Sequence, residues 1–141
     1  MVNDLIDGIS VKLNQVFGDG VRIYSESVKQ GLKEPCFFIK ILNPTQNQVI
    51  GSRYFREHPF DIHFFPSVES NEEMIGVAEQ LFDTLEYITL ENGDLVHGTK
   101  MDYEIVDGVL HFFVNFDIFV RKIDVPADNM ETLQVESDVK G

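Results

Sequence analysis

Two histidines and an aspartate, His58, Asp61 and His63, stand within six residues in the stretch YFREHPFDIHFFP, Tyr54–Pro66. Imidazoles and carboxylates are the ligands of zinc and iron sites and the parts of acid–base relays. In an extended strand, however, side chains alternate between two faces. Alternation places His58 on a core face with Phe60, Ile62 and Phe64, and Asp61 and His63 on the other, so the three cannot converge on one ion. His58 then reads as a hydrogen-bonded structural histidine. The later run GTKMDYEIVDGVLHFFVNFDIFVRK (98–122) offers His111, Asn115 and Asp117 on its outer face. If that run lay beside residues 54–65, then Asp61, His63, His111 and Asp117 would meet, a set suited to Zn²⁺ or Fe²⁺. The simpler reading is the non-core face of a sheet, with Glu104 and His111 as a cross-strand pair. No HExxH motif or paired cysteine supports a site, so no metal, cofactor or catalytic residue is expected. No nucleophile elbow, phosphate loop or dinucleotide fingerprint is present either. Cys36, within the apolar run CFFIKIL, reads as a small buried hydrophobe rather than a nucleophile.

The elements that would carry these residues can be read from period and punctuation. Residues 3–17 form a helix with Leu5, Ile9, Leu13, Val16 and Phe17 on one face and Asn3 as its cap. VRIYSE (21–26) is a short strand and CFFIKILN (36–43) a central one, apolar on both faces. A single strand then runs from about Arg53 to Phe65; Pro59 makes it an edge strand, bulged or locally unpaired. A second helix spans residues 70–88, opened by a Ser70/Glu73 capping box, with Ile75, Ala78, Leu81, Phe82 and Leu85 inward. Asp107-Gly108 between two alternating runs marks a structurally critical hairpin turn. A two-residue loop pairs Val106 with Val109, Ile105 with Leu110, Tyr103 with Phe112 and Met101 with Val114. On the other face it pairs Glu104 with His111, Asp102 with Phe113 and Lys100 with Asn115. The fold class is α+β: a mainly antiparallel sheet of about five to six strands with two helices on one face. Residues 1–122 form one domain, and 123–141 an acidic tail, flexible or ordered only by a partner.

The net charge of −13 disfavours a grip on nucleic acid by counterion release and disfavours anionic membranes. One cysteine, no secretory leader and no apolar run of spanning length fit a chain made in a reducing cytoplasm. Two helices can cover only one face of such a sheet, yet Phe38, Leu42, Phe65, Phe113 and Phe119 fall on the uncovered parity. Aromatics mixed with polar groups on a bare face point to a protein interface, unless the sheet curls to bury them. The segment Asn43–Ser52 adds Asn43, Gln46, Asn47 and Gln48, whose amides can bond a partner's backbone, and the adjacent aliphatics Val49 and Ile50. It is expected to contact other subunits or partners rather than its own core.

The stretches GLKEPCFFIKILNP, RYFREHPFDIHFFP and GTKMDYEIVDGVLHFFVNFD, in this order between and after two helices, resemble the tail terminator proteins of tailed bacteriophages. They are most similar to small tail proteins of clostridial-type phages, prophages and phage-tail-like bacteriocins, over residues 1–122. The resemblance implies a ring, usually a hexamer, that caps the head-proximal end of the tail tube and stops its polymerisation. It implies contacts with tube protein and with neck, connector or sheath proteins, at the tail–neck junction of a virion assembled in the host cytoplasm. DNA would pass through the ring without specific binding. The family has no catalytic or metal residues to carry over. A different head–tail joining protein and, more remotely, a small metal-dependent enzyme are the other readings.

Overall fold

A computed structural model describes residues 1–25, 31–123 and 132–137. Helix α1 (Val2–Phe17) buries Leu5, Gly8, Ile9 and Leu13 at helical spacing. Asn3 lies inside the first turn and is not the cap; Met1 holds that position without a side-chain bond. Helix α2 (Asn71–Thr84) opens on Ser70, whose hydroxyl accepts from the Glu73 N–H at 3.3 Å. Its inner stripe is Met74, Ala78 and Leu81, continued by Leu85, so Met74 replaces the expected Ile75, which is 42% exposed. The helix also stops earlier than its apolar spacing suggests, because Tyr87–Thr89 turns out as a strand.

The single expected sheet is two sheets. The six-stranded one has the order β1 (Arg22–Tyr24), β2 (Cys36–Ile41), β5 (Pro59–Phe65), β8 (Val109–Phe116), β7 (Leu95–Val106), β6 (Tyr87–Thr89). Only β1–β2 is parallel. The four-stranded sheet has the order β10 (Thr132–Ser137), β9 (Ile118–Ile123), β4 (Arg53–Glu57), β3 (Thr45–Ile50). The predicted strands 53–65 and 109–122 each bend and contribute to both sheets, and β2 leads into β3. The bends fall at His58 and Asp117 and lie side by side: Phe116 N–H donates to the His58 carbonyl at 2.9 Å. Pro59, lacking an N–H, stands at the bend, while its carbonyl accepts from Leu42 N–H at 2.8 Å. Within the segment expected as an acidic tail, β10 pairs antiparallel with β9; residues 124–131 and 138–141 lie outside the described residues.

The core lies between the helices and one face of the larger sheet, where Phe37, Ile39, Phe60, Ile62, Leu110, Phe112, Val114 and Phe116 meet Leu5, Ile9, Leu13, Ala78 and Leu81. The Asp107-Gly108 turn has positive φ at both residues, 52° and 75°, the mark of the type I′ turn expected there. Register follows the predicted pairs from Val106↔Val109 to Asp102↔Phe113. It then shifts: Thr99, not Lys100, faces Asn115, and Met101 does not face Val114. A bulge with Lys100 at φ 52° takes up the difference.

Candidate functional site

The strand bend is organised by His58, which is 3% exposed. Its Nδ1 lies 3.0 Å from the Phe116 carbonyl, which can only accept, so Nδ1 carries the proton and donates. Burial pushes the ring's pKa below its ordinary value against this bond, and Arg56 adds to the depression. The folded protein therefore holds His58 neutral where the unfolded chain begins to protonate it. A base with a depressed folded pKa supports the fold fully above the unfolded value of about 6.5 and loses that support as pH falls toward the folded one. Wild type should thus lose melting temperature between neutral and mildly acidic pH more steeply than His58→Asn, whose amide keeps a donor near Nδ1. Asp117, its carboxyl pushed up by burial and by the charge of Glu57, titrates with the opposite sign in both proteins and cancels in the comparison. Parallel pH profiles for the two proteins would contradict this role.

Beyond the bend, both helices pack on one face of the larger sheet and leave the other bare of them. On that second face His63 sits directly opposite His111, and Asp61 precedes His63 by two residues on the same side. The Asp61 Oδ2 accepts from His111 Nδ1 at 3.0 Å. His63 Nε2 is 2.8 Å from the same oxygen, but out of line for a hydrogen bond. The two imidazoles stand 4.4 Å apart between ring centres, tilted by 61°. Burial raises the Asp61 carboxyl, yet the two histidines outweigh it and hold the group below the usual carboxylate range. Phe38 and Phe65 flank His63 at 5.8 and 6.1 Å, and Phe113 stacks on His111 at 6.5 Å. Three of the four residues that alternation allowed to meet do so. Asp117 does not join them; at the bend it accepts from Thr99 Oγ1 at 3.3 Å. His111 bonds Asp61 rather than Glu104, although Glu104 is its partner in register. Cys36 is fully buried, its thiol pushed up to about 11 by burial and by Glu34, so it is not poised as a nucleophile.

The segment Asn43–Ser52 holds a strand. β3 pairs with β4 across Gly51-Ser52, with a bulge between Gln48 and Ile50, and all six of its residues are exposed. Asn43, just before it, is exposed as well. Gln46 accepts from Arg56 Nε at 2.6 Å, and Gln48 donates to the Gly51 carbonyl at 2.6 Å. Phe119, on β9, packs tilted against Phe55 at 5.0 Å with the Arg53 guanidinium 5.7 Å above its ring. The expected interface residues therefore divide between two places. Gln46, Asn47, Gln48, Val49, Ile50 and Phe119 belong to the smaller sheet, with Asn43 just before it, and Phe65 and Phe113 to the bare face of the larger. The Phe55–Phe119–Arg53 cluster was not anticipated, because nothing in alternation says that β4 and β9 are neighbours.

A helix-backed sheet that continues into an exposed β arm defines an α+β fold. The chain matches the phage tail terminator protein family over residues 4–128 and belongs to it. No match was found among curated proteins. The family is one of structural phage tail proteins, and the match extends beyond residue 122 into the acidic segment.

Proposed function

We propose that this protein closes into a ring, hexameric in the assembled tail, that caps the head-proximal end of the tail tube and ends its polymerisation. The exposed arm carries this reading. Its outer strand β3 has no charged residue and no proline, the devices that usually keep an edge from pairing with another chain. The bare face with Phe65 and Phe113 supplies a second patch for a neighbouring subunit or for tube protein. The upper surface of the ring would meet neck, connector or sheath proteins at the tail–neck junction, after assembly in the host cytoplasm. A net charge of −13 suits a ring that DNA crosses without being held. Light scattering on the purified chain, alone and with tail tube protein, tests the reading. Closed rings that bind tubes are expected; a monomer that never joins tubes would overturn it.

A further inference from the structure

We propose that Asp61, His63 and His111 form a binding site for a zinc-class divalent cation on the bare face of the larger sheet. The donors are Asp61 Oδ2, His63 Nε2 and His111 Nδ1, all within 4.8 Å of one another. They come from two hydrogen-bonded strands, β5 and β8, so the backbone fixes their separation in the folded protein. In a tetrahedral zinc site with bonds of about 2.0–2.1 Å, donors stand roughly 3.3 Å apart. Here His63 and His111 lie 2.8 and 3.0 Å from the carboxylate oxygen, a few tenths of an ångström short of that spacing. The third edge, from His63 Nε2 to His111 Nδ1, is within 4.8 Å, so side-chain rotations adjust the triangle to that spacing.

Two buried atoms point to a missing ligand. Asp61 Oδ1 has no hydrogen-bond partner, and His63 Nε2 has only its 2.8 Å contact with Asp61 Oδ2. Buried polar atoms in native proteins are nearly always satisfied. A cation among the three side chains replaces the His111 Nδ1–H···Asp61 bond, with the imidazole proton carried on Nε2 instead, takes the lone pairs of His111 Nδ1 and His63 Nε2, and leaves Oδ1 free to become a second carboxylate contact. It also compensates the charge of Asp61, which is 7% exposed. Two imidazoles and one carboxylate select Zn²⁺, Co²⁺ or Ni²⁺ over Mg²⁺ and Ca²⁺, which take shells of oxygen. His63 and His111 remain 19% and 23% exposed, so the other coordination positions open away from the sheet. This site departs from the expectation of no metal. That expectation rested on the separation of His58, which does stand on the opposite face, and on the lack of an HExxH motif or paired cysteine; of the set that alternation left open, Asp61, His63 and His111 come together without Asp117.

The test is a titration of the full chain, stripped with chelator, by Zn²⁺ in a calorimeter and by Co²⁺ in a visible spectrometer. One Zn²⁺ per chain and a visible cobalt band are expected. Binding should weaken at least about tenfold in His63→Gln and in His111→Gln. It should be unchanged in His97→Gln, whose ring stacks on Tyr87 elsewhere. If one ligand variant fails to fold, the cobalt band of the other decides. The absence of stoichiometric binding, its survival in the ligand variants, or its loss in His97→Gln would each overturn the site.

Discussion

Gly98→Ala is expected to destabilise the protein by at least about 3 kcal/mol, near the top of the overpacking range. Gly98 is buried in β7, opposite Phe116, and its N–H donates to the Glu86 carbonyl at 2.8 Å. A Cβ at this position would run into the Leu85 carbonyl oxygen, and would meet Met101 Cε at 2.9 Å and Val114 Cγ2 at 3.0 Å. Met101 can swing aside. Leu85 cannot: it is fully buried, and its N–H is held by the Leu81 carbonyl at 3.0 Å as α2 ends. The methyl group must therefore push the end of α2 away from the sheet. In a domain with only about 5–15 kcal/mol of stability, that lowers the melting temperature by roughly 10 °C. Gly76→Ala is the internal control. It lies inside α2 with nothing within 4 Å of its missing Cβ, so better helix propensity should stabilise it by up to about 1 kcal/mol. Equal melting temperatures for the two variants would contradict the close approach of α2 to β7.

The same contact shows what a sequence can and cannot reveal. The Asp107-Gly108 turn was legible because its chemistry and the alternation on both sides agree, and four residues out from it the register is still correct. The bulge at Lys100 was not, since Thr99-Lys100-Met101 carries no glycine or proline to mark a left-handed residue. The division into two sheets was equally hidden. Tyr54 and His58 share the parity of Phe60, and Ile118 and Val120 that of Phe116, and all face the core. A period of two therefore runs through both bends without a break. Only Pro59 hinted at one.

The candidate site was half legible for a related reason. Alternation states which face a side chain occupies, so His58 was separated from Asp61 and His63 correctly. It does not state which strand lies alongside. His111 reaches Asp61 from 50 residues away, through the β5–β8 pairing that only the fold supplies. The helix stripe shifted by one residue, from Ile75 to Met74, because Met74 is spaced to Ala78 and Leu81 as well as Ile75 is to Ala78 and Phe82. Packing against the sheet decided between them.

Replacing both Val49 and Ile50 with serine should abolish tail-length control while leaving the subunit folded. The two side chains are 52% and 76% exposed and belong to the outermost strand of the smaller sheet, so they contribute little to the protein's own core. The loss of β propensity there costs about 1 kcal/mol at most, a shift of a few degrees in melting temperature. The interface has more to lose. Each aliphatic side chain buried against a neighbour is worth about 1.5–3 kcal/mol, and in a closed ring every interface forfeits both. The amides are weaker candidates than they first appear: Gln46 and Gln48 are committed to Arg56 and Gly51, which leaves Asn43 and Asn47 to bond a partner. Tails assembled with the double variant should grow to uncontrolled lengths in electron micrographs, and its rings should fail to form on tubes. Normal tail lengths with a stable double variant would remove the arm from the interface and shift the burden to Phe65 and Phe113 on the larger sheet.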